Sequence, residues 1–362
     1  MNLLFNLINT SIAEGNETSN NFTKKQMTFL SIIDNENCEF YILGSGDKIV
    51  NQLLDINEVC NIAIKNEIID AISDFLELFG KSYFEFDKSI INNLGCNKYI
   101  VDEYYLLNFH LAKSTMCSIS KYSIHSIKYQ LSMNGVPFSK TIKSFNPSSV
   151  KRIESSSSIN QISSEMINDK RILLPMELVK ECLLSFLNAF NTKNICINQS
   201  LFKFQDINKK VFNTNINLSI VYPETCLFDL EGSEIKSRKL IENGFLKDFI
   251  HSRGDSANQK NIMGDVIMIS DYNLFSNEVI DFVFDLEVTS DQFDYLAIWE
   301  ESFIFYDPND NNICGTIMIK EKEDYIKYQK NFSIKVLSFF DSISKYDKAN
   351  QTLPIPEVII KI

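Results

Sequence analysis

Residues 227–253, "LFDLEGSEIKSRKLIENGFLKDFIHSR", carry the strongest local signal for structure in this chain. Asn243-Gly244 is typical of a two-residue type I′ hairpin turn, because both central residues of that turn need a positive φ. The dipeptide therefore predicts two short antiparallel strands on either side of it. The directly opposed residues would be Ile241 with Leu246, an apolar pair, and Lys239 with Asp248, a pair of opposite charge.

The same stretch contains residues that could take part in catalysis or binding. Asp229 and Glu231 alternate, so on a strand both carboxylates would share one face and could do acid–base work. The alternative is that they lie at a strand end, where Gly232 turns the chain and the carboxylates accept backbone N–H bonds. His251 and Arg253 follow the hairpin and could face a cavity. We treat these five residues as candidates for contact with a peptide or a partner.

A second Asn-Gly dipeptide predicts another hairpin within residues 123–145. With Asn134-Gly135 as the two-residue turn, three pairs of opposed residues on one face are apolar, so the register is self-consistent. His125 falls on this same face, which favours a core or edge histidine over a ligand. The opposed pairs are Met133 with Val136, Leu131 with Phe138, and Ile127 with Ile142.

Hydrophobic spacing predicts one helix over residues 55–80, with Asp55 as its N-cap and Gly80 at its end. An interruption near Lys65–Asn66 is left open. Upstream, residues 15–25 are polar, which predicts a loop or a disordered stretch.

A second helix is predicted over residues 175–190, with Pro175 suited to its first turn. Its polar residues Glu177, Lys180 and Glu181 are expected to face water. The residues expected to face the core are Met176, Val179, Leu183, Leu187 and Phe190. The flanking stretches "RILLP" and "NICIN" are predicted to be short strands.

Composition and charge exclude several classes of partner. The 362 residues carry a formal net charge of −12, so the average field repels phosphate backbones and anionic lipid heads. No cluster of five or more Lys/Arg offsets that field, and no apolar run reaches the ~18 residues of a membrane span. We expect no nucleic-acid partner, no membrane association and a cytoplasmic location.

The usual catalytic motifs are absent from the sequence. The three histidines, His110, His125 and His251, are too far apart to supply two zinc ligands one helical turn apart. There is no G-x-S-x-G elbow and no Gly-rich phosphate loop. The eight cysteines form no C-x-x-C pair, which favours reduced and mostly buried thiols. A metal site built from distant residues and a pairing of His251 with a distant cysteine remain open alternatives.

Residues 228–265 resemble the hallmark segment of the TldD/PmbA family of bacterial metallopeptidase-related proteins. The family segment reads approximately D-D-E-G, seven or eight residues, then L-I-E-N-G-x-L-x-x-[YF]-L. The stretch "LLPMELVKECLLSFLNAF" and the closing "LPIPEVIIKI" are similar to further family patterns, more weakly. The corresponding residues of the hallmark segment here are Asp229, Glu231-Gly232, 240–244, Leu246 and Phe249-Ile250.

The resemblance implies an α+β fold. An N-terminal α/β domain would be followed by a C-terminal domain built on a large, curved, mostly antiparallel β-sheet. A Ser-rich stretch at residues 154–165 marks the best candidate for the junction between them. We therefore expect an N-terminal domain at 1–153, shortened relative to the family, a junction at 154–168 and a C-terminal domain at 169–362.

The resemblance also implies a function. The family has one kind of subunit with an H-E-x-x-x-H helix that binds zinc, and a PmbA/TldE kind that lacks it. The two pair as a heterodimer that cuts unfolded peptides and trims leader peptides from peptide antibiotics. No H-E-x-x-x-H occurs in this sequence. The resemblance thus implies a non-catalytic subunit with no cofactor of its own, a zinc-bearing TldD-like partner, and an unfolded or leader peptide as the substrate of the complex.

Two other readings remain open. Family members usually carry a Gly-rich segment within the region that corresponds to 277–345, where this chain keeps only Gly315. Because glycine lets a backbone approach a substrate closely, this loss favours a peptide- or protein-binding scaffold without a protease role. The third reading is an independent hydrolase that uses Asp229, Glu231 and His251.

Overall fold

The computed structural model describes residues 2–15, 20–34, 37–43, 47–61, 64–80, 89–110, 115–133, 136–146, 171–212, 216–227, 237–250, 280–284, 288–289, 293–321, 327–342, 344–346 and 357–361. Within these ranges the chain forms six α-helices and three β-sheets of six, four and seven strands. The predicted α+β fold with large, mostly antiparallel sheets is confirmed. The expected junction at 154–168 lies outside the described residues, so the domain boundaries stay predictions.

The first sheet has the strand order β3-β2-β1-β4-β5-β6, and every neighbouring pair is antiparallel. Its apolar first strand is central, with a partner on each side, which explains why it is buried along most of its length. The register predicted for the hairpin within residues 123–145 is confirmed between β5 and β6 at all three apolar pairs. The strands are β1 Asn2–Gly15, β2 Asn20–Asp34, β3 Asn37–Leu43, β4 Lys98–His110, β5 Thr115–Met133 and β6 Val136–Ser144.

The loop predicted over residues 15–25 is wrong for residues 20–25, which belong to β2. These residues pair with β1, and the side chains of residues 21–25 are exposed. Their polarity therefore reflects a strand segment that faces water, which composition alone does not distinguish from a loop.

The single helix predicted over 55–80 is two helices, α1 Asp47–Cys60 and α2 Asn66–Phe79. Asp55 lies within α1, so the predicted N-cap is wrong. Asn61 follows α1 with a φ of 51°, a conformation that Asn tolerates and that ends the helix. A third short helix, α3 Ser89–Leu94, precedes β4.

The C-terminal half begins with β7 Arg171–Leu174 and α4 Met176–Phe186, which continues as a 3₁₀ turn over Leu187–Phe190. The predicted strand at "NICIN" is wrong, because Thr192–Cys196 forms the short helix α5. The remaining elements are β8 Ile216–Ile220, β9 Arg238–Glu242, β10 Phe245–Leu246, β11 Ile280–Phe284, β12 Val288–Thr289, β13 Tyr295–Asp307, β14 Asn312–Glu321, β15 Lys327–Lys335, α6 Val336–Asp341, β16 Ser344–Tyr346 and β17 Glu357–Lys361.

These strands form two further sheets. The second sheet has the order β10-β9-β8-β11, and the third has the order β12-β16-β17-β7-β13-β14-β15. The residues of α4 and its 3₁₀ turn that were predicted to face the core are all buried. Among the described residues no helix is long and apolar enough to cross a membrane.

Two hydrophobic clusters hold these layers together. The smaller one packs α1 and α2 against β1–β4 of the first sheet. The larger one joins the first sheet, α4 and strands of the other two sheets, so it buries the contact between the two halves of the chain. Burial of this apolar surface is the main force that keeps the first sheet against the C-terminal half.

Candidate functional site

The turn at Asn243-Gly244 has the backbone geometry that the sequence indicates. The two residues have φ values of 52° and 79°. Ile241 opposes Leu246 across the hairpin, as predicted. The Gly244 N–H also donates to the Ile216 carbonyl at 2.9 Å, so the turn is fixed to the neighbouring strand.

The charge pair predicted across this hairpin is wrong. Asp248 pairs with Arg238, with 3.1 Å between Oδ2 and Nη1, whereas Lys239 pairs with Glu242. Arg238 also donates to the Phe249 carbonyl at 3.2 Å. The reason is that β10 is only two residues long, so Asp248 lies beyond the ladder and is reached by a longer side chain. Burial raises the pKa of Asp248, and the adjacent guanidinium opposes that rise.

The residues predicted to face a peptide or a partner, Asp229, Glu231, Gly232, His251 and Arg253, lie outside the described residues, as do Asn134 and Gly135. The structure does describe where their segments join the hairpin. Arg238 closely follows the first segment, and Asp248 closely precedes the second. Because these two side chains are in contact, the described residues next to the two segments lie at the same end of the hairpin.

The chain that leads to His251 is anchored between the 3₁₀ turn that follows α4 and the start of α5. The Ile250 N–H donates to the Phe190 carbonyl at 2.8 Å, and the Ile250 carbonyl accepts from the Thr192 N–H at 2.9 Å. Phe190 and Thr192 are themselves fully buried. Buried residues of the C-terminal half therefore hold Ile250, the last described residue before His251.

The chain that leads to Asp229 is anchored by what we call the neutral junction, formed by Ser120, Thr225 and Leu227. Ser120 lies on β5 of the first sheet and is 0% exposed. Its hydroxyl donates to the Thr225 carbonyl at 2.9 Å and accepts from the Leu227 N–H at 3.1 Å. The first sheet thus contacts the last described residues before the acidic segment.

A second contact between the two halves, which we call the charged junction, consists of Lys140, Glu181 and Trp299. Lys140 Nζ lies 3.2 Å from Glu181 Oε2 and donates to the carbonyls of Trp299 at 2.6 Å and Ser302 at 3.3 Å. Its charge also lies 4.3 Å from the centre of the Trp299 ring, and Trp299 Nε1 donates to Glu181 Oε1 at 2.7 Å. The three N–H donors of the ammonium therefore meet three acceptors.

Burial affects both ionisable groups of the charged junction in the same sense. It lowers the pKa of Lys140 and raises the pKa of Glu181, and each group opposes the shift of the other. Burial is the larger cause for both, so the interior disfavours both charges. Because every donor of Lys140 is occupied, the cluster fits a structural contact better than a catalytic base.

A bulge in β13 shapes the charged junction. The register between β13 and β14 shifts between Ile298 and Phe303, which frees the intervening carbonyls to accept from Lys140. Gly315 lies beside this bulge, and a Cβ there would meet the Phe303 carbonyl oxygen at 2.3 Å. The one glycine retained in 277–345 is thus explained by packing between two strands.

The described residues do not fit a zinc site. His125 is 4% exposed, and its Nδ1 lies 2.7 Å from the Tyr99 hydroxyl, which confirms the predicted core histidine. The side chain of His110 lies outside the described residues. Within the described part of the chain, no group of three or more His, Cys, Asp and Glu side chains is arranged to hold a metal ion.

The buried thiols are poor nucleophiles at neutral pH. Burial raises the pKa of Cys96 to about 11 and that of Cys226 to about 12. Burial also raises the pKa of Cys182. Because the thiolate is the reactive form, these three cysteines do not support a Cys–His hydrolase.

A polar cavity of about 380 Å³ opens at one end of the first sheet. Its lining includes the ion pair between Lys98 and Glu14, at 2.5 Å. The cavity is lined by residues of β1, β2, β4 and β5 and of the turn before β4, whereas the candidate segments join strands of the second sheet. We therefore assign it no part in the candidate site.

Sequence reasoning missed both junctions. Glu181 was expected to face water, but that side of α4 meets Lys140 and Trp299. The sequence contained one signal for the charged junction. In the hairpin within residues 123–145, Lys140 lies opposite Tyr129, between the apolar pairs. A lysine on such a face indicates a buried charge that needs a partner. Ser120 carries no comparable signal.

Comparison with known proteins gives one family match and several shared folds. Residues 168–262 match the model of the PmbA/TldA metallopeptidase C-terminal domain. The structure of TldE from Thermococcus kodakarensis has a TM-score of 0.54 and 11% identity, with 99% of this chain and 95% of that chain covered. A search of curated protein sequences gives no significant match.

Two bacterial structures share the fold to the same degree. A candidate modulator of a DNA gyrase from Thermotoga maritima has a TM-score of 0.57 and 12% identity, with 99% and 94% coverage. A candidate modulator of DNA gyrase from Bacteroides thetaiotaomicron has a TM-score of 0.55 and 11% identity, with 99% and 93% coverage. At these identities the likeness concerns the fold. The family-model match over residues 168–262 and the shared fold together support a protein of the TldD/PmbA/TldE type.

Proposed function

We propose that this chain is a non-catalytic, TldE/PmbA-like subunit that pairs in the cytoplasm with a zinc-bearing TldD-like subunit. The complex would process or degrade peptides, including the trimming of a leader peptide from a peptide natural product. The observation that carries the proposal is the family-model match over residues 168–262 in a sequence that has no H-E-x-x-x-H motif. His125 is buried in the core beside Tyr99, and His110 and His251 are far apart in sequence.

The division of labour follows from the chemistry. Zinc in the partner would lower the pKa of a bound water so that hydroxide can attack a peptide carbonyl. This chain would supply part of the wall of the peptide-binding site. Its strand edges would hold an extended peptide through main-chain hydrogen bonds. Supporting this, β15 has β14 as its one partner among the described strands and forms an edge of the third sheet as described.

Mixing experiments test the proposal. We expect the purified chain to hold less than about a tenth of an equivalent of zinc and to leave an unfolded peptide intact. Together with an H-E-x-x-x-H relative from the same genome, it should form a complex by light scattering and cleave that peptide. The matched control is the same mixture with the motif glutamate of the relative changed to glutamine, which should assemble without cleaving. Stoichiometric zinc and unaided cleavage by the isolated chain would contradict the proposal.

A second candidate function is a peptide- or protein-binding scaffold with no protease role. The observation that favours it is Gly315, whose place beside the β13 bulge is explained by strand packing and not by close approach to a substrate. This function predicts that the relative cleaves at the same rate with and without this chain. It also predicts that the isolated chain still binds an unfolded peptide in a fluorescence anisotropy titration.

A further inference from the structure

The polar cavity of about 380 Å³ at the end of the first sheet is lined by a row of three charged residues. Glu14 on β1 is directly opposite Lys98 on β4, and Lys98 is directly opposite Lys128 on β5. Directly opposed residues of neighbouring strands lie on the same face of a sheet, so the three side chains share one wall of the cavity. That wall contains two ammonium groups and one carboxylate.

The single carboxylate neutralises only one of the two lysines. Glu14 forms the ion pair with Lys98, whereas Lys128 has no carboxylate partner in the part of the chain that the structure describes. Like charges directly opposite each other on a sheet are unfavourable, and a nearby anion relieves their repulsion. The chain has a net charge of −12, so this local excess of positive charge does not follow from a basic composition.

Asn97, just before β4, holds the cavity wall together and still offers a donor. Its N–H donates to the Lys128 carbonyl at 3.0 Å, and its own carbonyl accepts from the Gly15 N–H at 3.0 Å. Its side-chain Oδ1 accepts from the Gln130 N–H at 2.5 Å. Within the described ranges its Nδ2 donates to no protein group. An amide donor and an ammonium donor therefore line the same cavity, a combination suited to the oxygen atoms of an anion.

We propose that this cavity binds a small organic anion, whose carboxylate or phosphate group lies against Lys128 and Asn97. Its volume lies within the roughly 300–1,000 Å³ of small-molecule sites, so it has room for more than a bare ion. Asn21 and Gln130, which also line it, are uncharged and can bond the polar groups of such a molecule.

Isothermal titration calorimetry on the isolated chain tests the site with succinate and with glycerol 3-phosphate. Glycerol is the uncharged reference. We expect at least one anion to bind with a Kd of about 1 mM or below, and glycerol to show no binding. The ratio of the two Kd values identifies which anionic group the cavity prefers. Binding of neither anion, or glycerol binding as tightly as glycerol 3-phosphate, would overturn the proposal.

Lys128→Met should raise that Kd roughly 10-fold, because a charge-assisted hydrogen bond to the anion is lost. Lys121→Met is the matched control, since it removes the same charge from the same strand. Lys121 lies seven positions from Lys128 in an unbroken register, and so on the opposite face of the sheet. The control should leave the Kd unchanged, and equal Kd values in the two methionine variants would contradict the assignment.

Asn97→Asp is a second variant that preserves the local structure. Aspartate keeps an oxygen that accepts from the Gln130 N–H but replaces the free amide donor with a negative oxygen. Binding of the anion should fall below detection while the circular dichroism spectrum stays the same. Full affinity in this variant would overturn the role of Asn97. None of these measurements involves a zinc-bearing relative, so failure of the site and failure of the proposed function are separate results.

Discussion

Beside the shared hydrophobic cluster, two polar junctions between described residues of the first sheet and the C-terminal half use different chemistry. The charged junction holds β6 to α4 and β13 through Lys140, Glu181 and Trp299. The neutral junction holds the chain before Asp229 through one hydroxyl, that of Ser120. Burial disfavours both charges in the first, whereas the second buries no charge. The comparison teaches that the charged junction should be sensitive to pH and to the loss of one partner, and the neutral one should not.

The largest effect is expected from Lys140→Met. Removal of one partner leaves Glu181 buried without its counter-charge, so the free energy of unfolding should fall by about 3–5 kcal/mol. Urea denaturation followed by fluorescence measures it. The chain has a single tryptophan, and Trp299 lies within the junction, so its emission reports on this contact.

The control for this variant is the double change Lys140→Met with Glu181→Gln. The glutamine removes the unpaired charge but can still accept from Trp299 Nε1, so most of the lost stability should return. If the double variant is as unstable as the single one, packing and not charge sets the strength of the charged junction.

The pH dependence of Lys140→Met sharpens the contrast. Without the ammonium, burial should raise the pKa of Glu181 further above its ordinary value of 4.5. Above that value the folded state keeps a proton that the unfolded state has lost, so stability falls as pH rises toward the folded pKa. Denaturation should therefore show a larger deficit near pH 8 than near pH 5, and the added Glu181→Gln change should abolish that difference. Equal deficits at both pH values would contradict the assignment.

Ser120→Ala should cost less and show no such pH dependence. We expect a loss of about 1–3 kcal/mol in the free energy of unfolding, because two part-buried hydrogen bonds to main-chain groups are lost, each worth about 0.5–1.5 kcal/mol. The deficit should be the same near pH 5 and near pH 8, because no titrating group is involved. A deficit that varies with pH would remove the distinction between the two junctions.

Gly315→Ala tests whether the bulge supports the charged junction. A Cβ at this position would lie 2.3 Å from the Phe303 carbonyl oxygen, so a backbone shift is required. We expect a loss of about 1–3 kcal/mol and a change in Trp299 emission, because the bulge supplies acceptors to Lys140. Unchanged emission in a destabilised variant would show that the bulge and the junction are independent.

The smallest effect is expected from Lys98→Ala. The pair between Lys98 and Glu14 is partly exposed, with 32% and 50% of the side chains accessible. Solvent screens such pairs, so the change in the free energy of unfolding should stay below about 1 kcal/mol. This variant measures how much the free energy of unfolding falls when a partly exposed lysine is removed from the first sheet. A fall as large as that of Lys140→Met would contradict the view that burial makes the loss of Lys140 costly.

Prediction from the sequence succeeded where the signal is local. The Asn134-Gly135 dipeptide and alternating apolar residues predicted the register of β5 with β6 correctly, although the turn itself lies outside the described residues. Asn243-Gly244 likewise predicted the opposition of Ile241 and Leu246. Both depend on the φ angles that a two-residue turn requires and on the period of a strand.

Prediction failed where the partner is distant. Glu181 looked like a water-facing residue of an amphipathic helix, and nothing nearby in sequence indicates Lys140 or Trp299 as its partners. The Asp248 partner was missed for a related reason, because the short second strand takes that residue out of the ladder. The roles of the candidate site residues remain predictions.

The sequence by itself determined the antiparallel hairpins, the apolar face of α4 and the absence of a local pair of zinc-binding histidines. Those features depend on backbone angles, residue period and spacing, which are properties of neighbouring residues. Only the tertiary structure decided that Ser120 anchors Leu227 and that Lys140 on β6 is buried against Trp299 on β13. The physical reason is that packing brings together residues more than a hundred positions apart, and burial then changes the energy of their polar groups.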